Sequence, residues 1–319
     1  MPLVTPLTDD RFDAYYAVYA RAYAREFDSP WLPVEKKVNL TDDPYGKNVA
    51  LMALDDAGVI VGGGSATMPL QDNTAFAYLD VFTDPDRRRE GHATAILDEL
   101  MSSARAAGRT IGFLTPVWGV DTEHDPGREF AEARGFTLDM MDALRALDLP
   151  AELPPLEVAD GYTLHSWRGP CPAVWLDEYA ELRRILVQEA PNGEAGLENE
   201  YWDAARVRLD EADLIRSNRQ MQVTVARAAD GQLAGHTQLA FPGDSAEVYQ
   251  WDTLVRGSHR GHGLGLALKI HTMRESADLL EGRRRIMTEN AASNSYMIAV
   301  NERLGFRQIA WTGEYVRTI

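Results

Sequence analysis

Cysteine is nearly absent from this sequence. Cys171 is the single cysteine among 319 residues, so the chain cannot form an intramolecular disulfide. Long apolar runs are also missing, since no stretch approaches the roughly 18 residues that a membrane helix needs. The first residues, MPLVTPLTDD, lack the basic segment followed by an apolar segment that marks a secretory signal. Together these absences predict a protein of the reducing cytoplasm.

Basic residues are in the minority. The chain has 32 Lys and Arg against 49 Asp and Glu, which gives a formal net charge of −17 at pH 7. Binding of DNA or RNA depends on basic patches that neutralise phosphates, so nucleic acid is not an expected partner. Two interpretations of the acidity stay open: it steers a cationic small substrate towards the protein, or it keeps the protein soluble.

The sequence contains an internal repeat. The stretch TDPDRRREGHATAIL (83–97) aligns with VRGSHRGHGLGLALK (255–269) at a shift of 172 residues. The aligned pairs are Asp80 and Asp252, Arg88 and Arg260, Gly91 and Gly263, Ala93 and Gly265, and Ala95 and Ala267. Further on, ARGF (133–136) aligns with RLGF (303–306). A proline-rich stretch, 147–162, separates the copies, so we predict two domains at 1–150 and 151–319.

Each copy alternates strands and helices. In the first copy a strand at 76–83 leads into the glycine turn and a helix at 93–108. In the second copy a strand at 246–255 and a helix at 263–280 take the same places. Strand pairs joined by short turns precede both. This order predicts an α+β fold with a mixed sheet, in which one strand of each copy leads through the glycine turn into a helix.

The segment HRGHGLGLALK (259–269) carries three glycines ahead of an apolar, helix-like run. Glycine lets the main chain approach a ligand closely, and a helix N-terminus favours anions. A nucleoside-triphosphate loop would need Lys-Ser/Thr after the glycines, whereas Leu266 and Ala267 follow Gly265. The glycine spacing also fails the dinucleotide-binding pattern. A different phosphate-bearing ligand is predicted, with a ligand-free glycine loop as the alternative.

The order of these motifs resembles the GNAT superfamily of acyl-CoA N-acyltransferases. The second copy carries RGHGLG and then NAASNSYMIAVNERLGF, and it is the closer match. The first copy has the glycine turn but has His124 where the second has Asn294. The second half also resembles actinobacterial tandem members with similar WDTLV, HRGH, LALK and NERLGF segments. The resemblance implies two tandem GNAT-like domains, each a mixed, mostly antiparallel sheet flanked by helices, with a splayed central strand.

The resemblance also implies that the second domain binds acetyl-CoA as a co-substrate and that the degenerate first domain is a scaffold. The main chain of the glycine turn would hold the pyrophosphate, and an N–H group near the end of the splayed strand would polarise the thioester carbonyl. The implied coenzyme-binding residues are Leu254, Val255, Arg260, Gly261, His262, Gly263, Leu264, Gly265 and Asn294. No Cys or His stands at ligand spacing from His259 or His262, so no metal is expected.

Three acids are candidates for the group that removes a proton from the acceptor amine. Glu289 lies five residues before Asn294, where some family members carry a glutamate with this role. Asp252 and Glu247 lie on the splayed strand, on opposite faces by alternation. Glu289 is the favoured candidate.

One position departs from the family. Many members have a tyrosine four residues before the glycine of Gly-Phe, where it protonates the leaving thiolate. This sequence has Asn301 there and Ala131 in the first copy. Asparagine can donate a hydrogen bond but cannot act as an acid. Tyr296 and Tyr315 are possible substitutes.

The predicted activity is therefore acetyl-CoA-dependent N-acetylation of a small, cationic amine by a monomer or homodimer, without membrane or nucleic-acid partners. The acid-rich segment 188–216 either lines the acceptor cleft or forms a solvated helical face. Two further functions stay open. One is a non-catalytic acyl-CoA-binding module, and the second is transfer of a longer acyl group or transfer to a hydroxyl.

Overall fold

A computed structural model describes residues 2–27, 29–191 and 193–319, with all of their side chains except that of Val187. The chain forms two compact units. The first unit consists of Met1–Met141, Asn192–Glu198 and Ala310–Ile319, and the second of Asp142–Pro191 and Asn199–Ile309. Both units are thus built from segments that are distant in the sequence. The division into 1–150 and 151–319 follows the sequence repeats and stays a prediction.

The regular elements of the described residues alternate as expected for an α+β protein. In chain order they are β1 (Leu3–Pro6), α1 (Phe12–Tyr23), α2 (Pro33–Asn39), β2 (Gly46–Leu54), β3 (Ile60–Pro69), β4 (Phe76–Thr83), α3 (His92–Ala106), β5 (Ile111–Leu114), β6 (Val117–Gly119), α4 (Pro126–Ala133), β7 (Thr137–Asp148), β8 (Tyr162–Arg168), α5 (Leu176–Glu189), α6 (Ala204–Arg216), β9 (Arg219–Ala228), β10 (Leu233–Pro242), β11 (Glu247–Val255), α7 (Leu264–Glu275), α8 (Ala277–Leu280), β12 (Arg285–Ala291), α9 (Ser295–Arg303) and β13 (Arg307–Thr318).

The sheet of the first unit has the order β1-β2-β3-β4-β5-β13, and β4 with β5 is its parallel pair. Successive glycines of β3 let helices approach both faces. A Cβ on Gly63 would overlap the ring of Tyr15 on α1, and one on Gly64 would lie 2.8 Å from Cγ2 of Ile96 on α3. Side chains alternate between the two faces of a strand, so α1 and α3 cover opposite faces.

The sheet of the second unit repeats this plan with the order β8-β9-β10-β11-β12-β7, and its parallel pair is β11 with β12. On one face, Leu266 and Ile270 of α7 pack against Leu239 of β10. On the other face, Leu182 of α5 and Val207 of α6 pack against β9. Both units therefore place the helix that follows the glycine turn against the sheet through apolar burial.

The sixth strand of each sheet comes from the other half of the sequence. In the first unit Tyr315 of β13 pairs with Leu114 of β5. In the second unit β7 pairs with β12 along its length, from Asp148 opposite Arg285 to Asp142 opposite Ala291. The two repeats have thus exchanged their last strands, although each sheet keeps the same order.

The predicted fold class is confirmed: each unit is a mixed, mostly antiparallel sheet flanked by helices. The strand predicted at 76–83 is β4, and the strand predicted at 246–255 is β11. The helix predicted at 93–108 is α3. The helix predicted at 263–280 is interrupted at Ser276, which separates α7 from α8.

Candidate active site

The glycine turn of the second unit presents main chain to solvent at the start of α7. Gly261 has φ 84° and Gly263 has φ 72°, a left-handed conformation that glycine adopts without strain. Nothing lies within 4 Å of where a Cβ would stand at either residue. Since the first N–H groups of a helix have no partner within it, this turn opens an anion-binding surface made of backbone.

Side chains around the turn hold its shape. The guanidinium of Arg260 donates from Nε to the carbonyl of Val255 at 3.2 Å and pairs with Glu189. His259 hydrogen-bonds through Nδ1 to the hydroxyl of Tyr162 at 3.0 Å and through Nε2 to Oε1 of Gln232 at 3.1 Å. The guanidinium of Arg260 thus contacts other residues of the protein, and the main chain of the turn faces outward.

The strand that leads into this turn separates from its neighbour. Backbone pairing between β11 and β12 covers Glu247–Tyr249 against Arg285–Met287. Just beyond it, the hydroxyl of Thr288 donates to the carbonyl of Gln250 at 3.1 Å. β11 then runs on to Val255 with an open edge, and a register shift against β10 places a bulge at residues 251–252. The predicted splayed central strand is confirmed.

Alternation decides which backbone groups face the open edge. The N–H of Arg256 donates to the carbonyl of Ala234 on β10 at 2.9 Å. Neighbouring residues of a strand point their N–H groups to opposite edges, so those of Val255 and Thr253 face the opening. The N–H of Leu254 points to β10, and the side chain of Leu254 is buried. Sequence reasoning included Val255 and Leu254 but missed Thr253.

The three predicted acids lie in different surroundings. Glu247 is buried at the closed end of β11, where Nε of Arg285 donates to it at 2.7 Å. Asp252 lies in the bulge and is paired with Nε of Arg183 on α5 at 2.8 Å. Glu289 is exposed on the diverging part of β12. Two of the acids are therefore held by arginines, and the third faces solvent.

Asn301 is completely buried and joins two other polar side chains. Its Oδ1 accepts from Nζ of Lys269 at 2.7 Å, and its Nδ2 donates to Oδ1 of Asn290 at 2.6 Å. Asn294 caps α9, because its Oδ1 accepts from the N–H of Met297 at 3.1 Å. Sequence reasoning missed Lys269, although a lysine in the apolar run LGLALKI was a usable signal.

A family model for the acetyltransferase (GNAT) family matches residues 10–136 and 179–306. This chain belongs to the GNAT acetyltransferase family. The match falls on both repeats, so the predicted tandem GNAT organisation and the predicted transferase class are confirmed.

Two GNAT relatives are named mycothiol acetyltransferases. The protein from Thermomonospora curvata is 28% identical over 270 residues, which cover 83% of this chain and 81% of the relative. The protein from Clavibacter sepedonicus is 27% identical over 283 residues, which cover 86% of this chain and 78% of the relative. The similarity therefore extends through both repeats.

Solved structures share the fold. A tandem GNAT protein from the clavulanic acid biosynthesis pathway, without AcCoA, superposes with a TM-score of 0.83 at 24% identity, over 100% of this chain and 98% of that one. A GCN5-related N-acetyltransferase from Sphaerobacter thermophilus gives a TM-score of 0.71 at 14% identity, over 99% and 95% of the two chains. At these identities the likeness establishes the fold.

The first GNAT unit keeps the backbone of the turn with different side chains. Gly91 precedes α3 with φ 88°, and Arg89 occupies the left-handed place of Gly261 with φ 69°. Glu90 adds a carboxylate, which accepts from Nε of Arg87 at 3.1 Å. His124 is exposed and hydrogen-bonds to Glu129 at 3.0 Å. This turn therefore carries the side chain of Arg89 where the second turn has bare main chain at Gly261.

A cavity of about 520 Å³ lies in the second GNAT unit against α5, α6 and the start of β9. Arg183, Asp210, Tyr179 and Gln238 line it together with apolar side chains of α6 and β9. Gln238 is 1% exposed, and its Oε1 has no hydrogen-bond partner in the part of the chain that the structure describes. The acid-rich segment thus contributes α6 to a cavity wall.

The two tyrosines considered as substitute acids are placed apart. Tyr296 is half-exposed in the first turn of α9, and its hydroxyl lies 3.9 Å from where a Cβ of Gly265 would stand. Tyr315 belongs to the first unit, where its hydroxyl donates to Glu132 at 3.0 Å and burial, together with Glu132, raises its pKa to about 12. Only Tyr296 lies beside the turn of the second unit.

Three further kinds of feature bear on a functional role: the single cysteine, clusters of metal ligands and apolar helices. Cys171 is buried, and burial raises the pKa of its thiol to about 12. Within residues 2–27, 29–191 and 193–319, no group of three or more His, Cys, Asp and Glu could hold a metal ion. None of the helices in those residues combines the length and the apolar character that a membrane crossing requires.

Proposed function

We propose that this GNAT chain transfers the acetyl group of acetyl-CoA to the amine of a small molecule, at the second unit. One observation carries the proposal: β11 leaves β12 after Tyr249 and leads directly into the left-handed turn at Gly261 and Gly263. An open strand edge matches amides, and a helix N-terminus matches a pyrophosphate. Acetyl-CoA carries both, together with an acetyl group activated as a thioester.

The residues of the turn fit this coenzyme. The N–H groups of residues 261–265, which include His262, Leu264 and Gly265, would hold the pyrophosphate. Arg260 would support the loop from behind through Glu189 rather than contact phosphate. Asn294 would act by fixing the start of α9. The absence of any atom close to Gly261 and Gly263 supports this close approach of a ligand to the main chain.

The open edge of β11 would polarise the acyl carbonyl. The N–H groups of Val255 and Thr253 point to that edge, whereas Leu254 supports the strand from within the core. Loss of one such donor typically costs a factor of about 10²–10³ in rate. Of the three acids, Glu289 is the proposed proton acceptor, since its side chain is exposed on β12 beyond the last backbone pair with β11.

The acceptor we propose is a small amine that is cationic in solution. The cavity of the second unit supports an amine, because Oε1 of Gln238 is a buried acceptor in need of a donor. Asp210 also lines the cavity but is paired with Arg183 at 3.1 Å, so the proposed positive charge of the acceptor is supported by the acidity of the chain as a whole. An amine supplies N–H donors and a positive charge. Two relatives named mycothiol acetyltransferases also point to a small acceptor.

The first unit is proposed to be a scaffold with a vestigial coenzyme site. Its turn has the required backbone, but Glu90 places a carboxylate beside the start of α3. Arg87 pairs with that carboxylate, and the side chain of Arg89, in the place of Gly261, restricts the approach of a ligand to the main chain. We therefore expect one principal acetyl-CoA site for each chain.

Calorimetric titration with acetyl-CoA tests this assignment. Gly263→Asp should weaken binding about 100-fold, or about 2.7 kcal/mol, because it adds strain and a carboxylate beside the pyrophosphate. Gly282→Asp is the matched control, since Gly282 also has a left-handed φ of 75° and open space around it but lies far along the chain, between α8 and β12. Gly91→Asp should leave the principal site intact. Loss of binding in Gly91→Asp with binding kept in Gly263→Asp would reverse the assignment.

Activity is tested with acetyl-CoA and a panel of cationic, zwitterionic and neutral amines, with release of free thiol as the signal. Turnover that is fastest with a cationic amine is the expected result, and Glu289→Gln should lower kcat without changing coenzyme affinity. Tight acetyl-CoA binding without any product would favour a non-catalytic binding module. Faster turnover with longer acyl-CoA donors would favour transfer of a longer acyl group, and faster turnover with alcohols would favour transfer to a hydroxyl.

A further inference from the structure

Lys269 is a buried lysine without a described counterion. It is the sixth residue of α7, is 1% exposed, and lies 5.8 Å from the ring centroid of Phe306. Its Nζ donates to Asn301 at 2.7 Å, and none of the ion pairs in the described chain involves it. An ammonium has three donors, so this bond leaves two of them for another acceptor. Burial alone lowers the pKa of Lys269 to about 7, with no charged neighbour adding to the shift.

The side chain reaches the opening between the splayed strands through two hydrogen bonds. Asn301 of α9 links Lys269 to Asn290, and Asn290 lies on β12 beyond the last backbone pair with β11. The described contacts of Nζ of Lys269 are thus an amide on α9 and the ring of Phe306. Neither contact supplies a negative charge.

The first unit shows that the fold does not need this charge. At the repeat shift of 172 residues Leu97 takes the place of Lys269, and at the shift of 170 Ala131 takes the place of Asn301. Leu97 and Ala131 are both buried in one apolar cluster of the first unit. Burying an ion costs several kcal/mol in real proteins, so a helix that packs well with leucine gains nothing structural from lysine.

We propose that the ammonium of Lys269 stabilises the thiolate that is released at the splayed strands of the second unit. This inference rests on the proposed function. When the acceptor nitrogen forms its bond to the acyl carbon, the carbon–sulfur bond breaks and its electron pair stays on sulfur. The proton of the amine goes to a carboxylate or to water. Asn301 cannot supply charge, but it holds the ammonium in place, and Lys269 supplies the opposite charge.

The pKa of the thiol of bound coenzyme A tests the proposal without turnover. It is read from the ultraviolet absorbance of the thiolate while pH is varied in the presence of saturating protein. An opposite charge within about 4–6 Å lowers a pKa by about 1–3 units, and the thiolate in turn favours the charged form of Lys269, so the two groups titrate as a pair. The wild type should therefore lower the pKa of the thiol, and Lys269→Met should return it by about one unit or more. Thr272→Val is the matched control, because Thr272 is another buried polar residue of α7.

Stability and rate separate this role from a structural one. Lys269→Met should raise the melting temperature and lower kcat about 10²-fold, with the KM for acetyl-CoA little changed. Should Lys269→Met fail to fold, the double variant Lys269→Leu/Asn301→Ala, which copies the first unit, gives the same two readouts. An unchanged thiol pKa, or a fall in melting temperature with unchanged kcat, would overturn the inference alone. If coenzyme A does not bind the wild type, both this inference and the proposed function fail.

Discussion

The turns that open α3 and α7 have the same backbone course and different chemistry. Residues 89 and 91 of the first unit and 261 and 263 of the second all have positive φ. The first turn places an arginine in a strained conformation and adds Glu90, whereas the second has glycines and no carboxylate in the loop. The comparison shows that the same backbone course is compatible with different side chains in the two repeats.

The central strands differ in a related way. β4 pairs with β3 in one continuous register from Tyr78 to Thr83, whereas β11 carries the bulge at residues 251–252. Both strands keep an aspartate at the aligned position, and both aspartates are paired with a cation: Asp80 with Lys36 at 2.7 Å, Asp252 with Arg183 at 2.8 Å. The ion pair therefore belongs to the shared scaffold, and the bulge belongs to the second unit.

The buried residues beneath the two turns differ most between the units. The largest effect on stability is expected there. Leu97→Lys would put into the first unit the residue that the second unit has at this place, but without the amides that receive it. We expect the free energy of unfolding of the first unit to fall by at least about 3 kcal/mol, measured by chemical denaturation.

Leu97→Met is the control, because it keeps volume and apolar character and should cost less than about 1.5 kcal/mol. A folded Leu97→Lys protein with the stability of the Met variant would show that the site accepts an ammonium without partners. The contrast between the two cores would then carry no functional meaning.

The pH dependence of stability is a second, intermediate difference. The pKa of Lys269 is lowered to about 7 in the folded protein and is about 10.4 for a free lysine. Between these pH values the unfolded chain binds more protons than the folded chain. The free energy that it costs to bury Lys269 is therefore largest below about pH 7 and decreases as the pH rises above 7. The wild type should therefore gain stability between pH 7 and 9 relative to Lys269→Leu, as measured by denaturation at both pH values. Parallel pH profiles would contradict the lowered pKa.

The smallest effect concerns the turns themselves. Gly261→Arg should cost about 1 kcal/mol in stability, because the left-handed conformation penalises any residue with a Cβ. The reciprocal Arg89→Gly should relieve part of the same strain in the first unit. Thermal denaturation of both variants checks this pair, and a loss of stability in Arg89→Gly would mean that the Arg89 side chain stabilises the turn by contacts.

Local sequence patterns predicted many of the helices, strands and turns of this protein, but they did not predict the contacts between distant residues. The glycine spacing and the strand before it indicated the turn at Gly263, and the resemblance to the GNAT superfamily implied the splay of β11. The bond between Lys269 and Asn301 joins residues 32 positions apart, and nothing in either segment specifies it. The bulge that turns Thr253 to the open edge depends on register with β10, which periodicity does not reveal. The exchange of β7 and β13 likewise depends on pairing between distant segments, which local signals do not encode.

The exchanged strands have a consequence for how the protein is made. β5 of the first unit pairs with β13, and β13 ends at Thr318. During synthesis, which starts at the N-terminus and adds about 5–20 residues per second, the edge of β5 stays unpaired until β13 has been translated. A stop codon between the repeats would leave the first sheet without β13, its sixth strand, and would leave β7 without its partner β12. The first repeat therefore cannot complete its sheet without the last strand of the second.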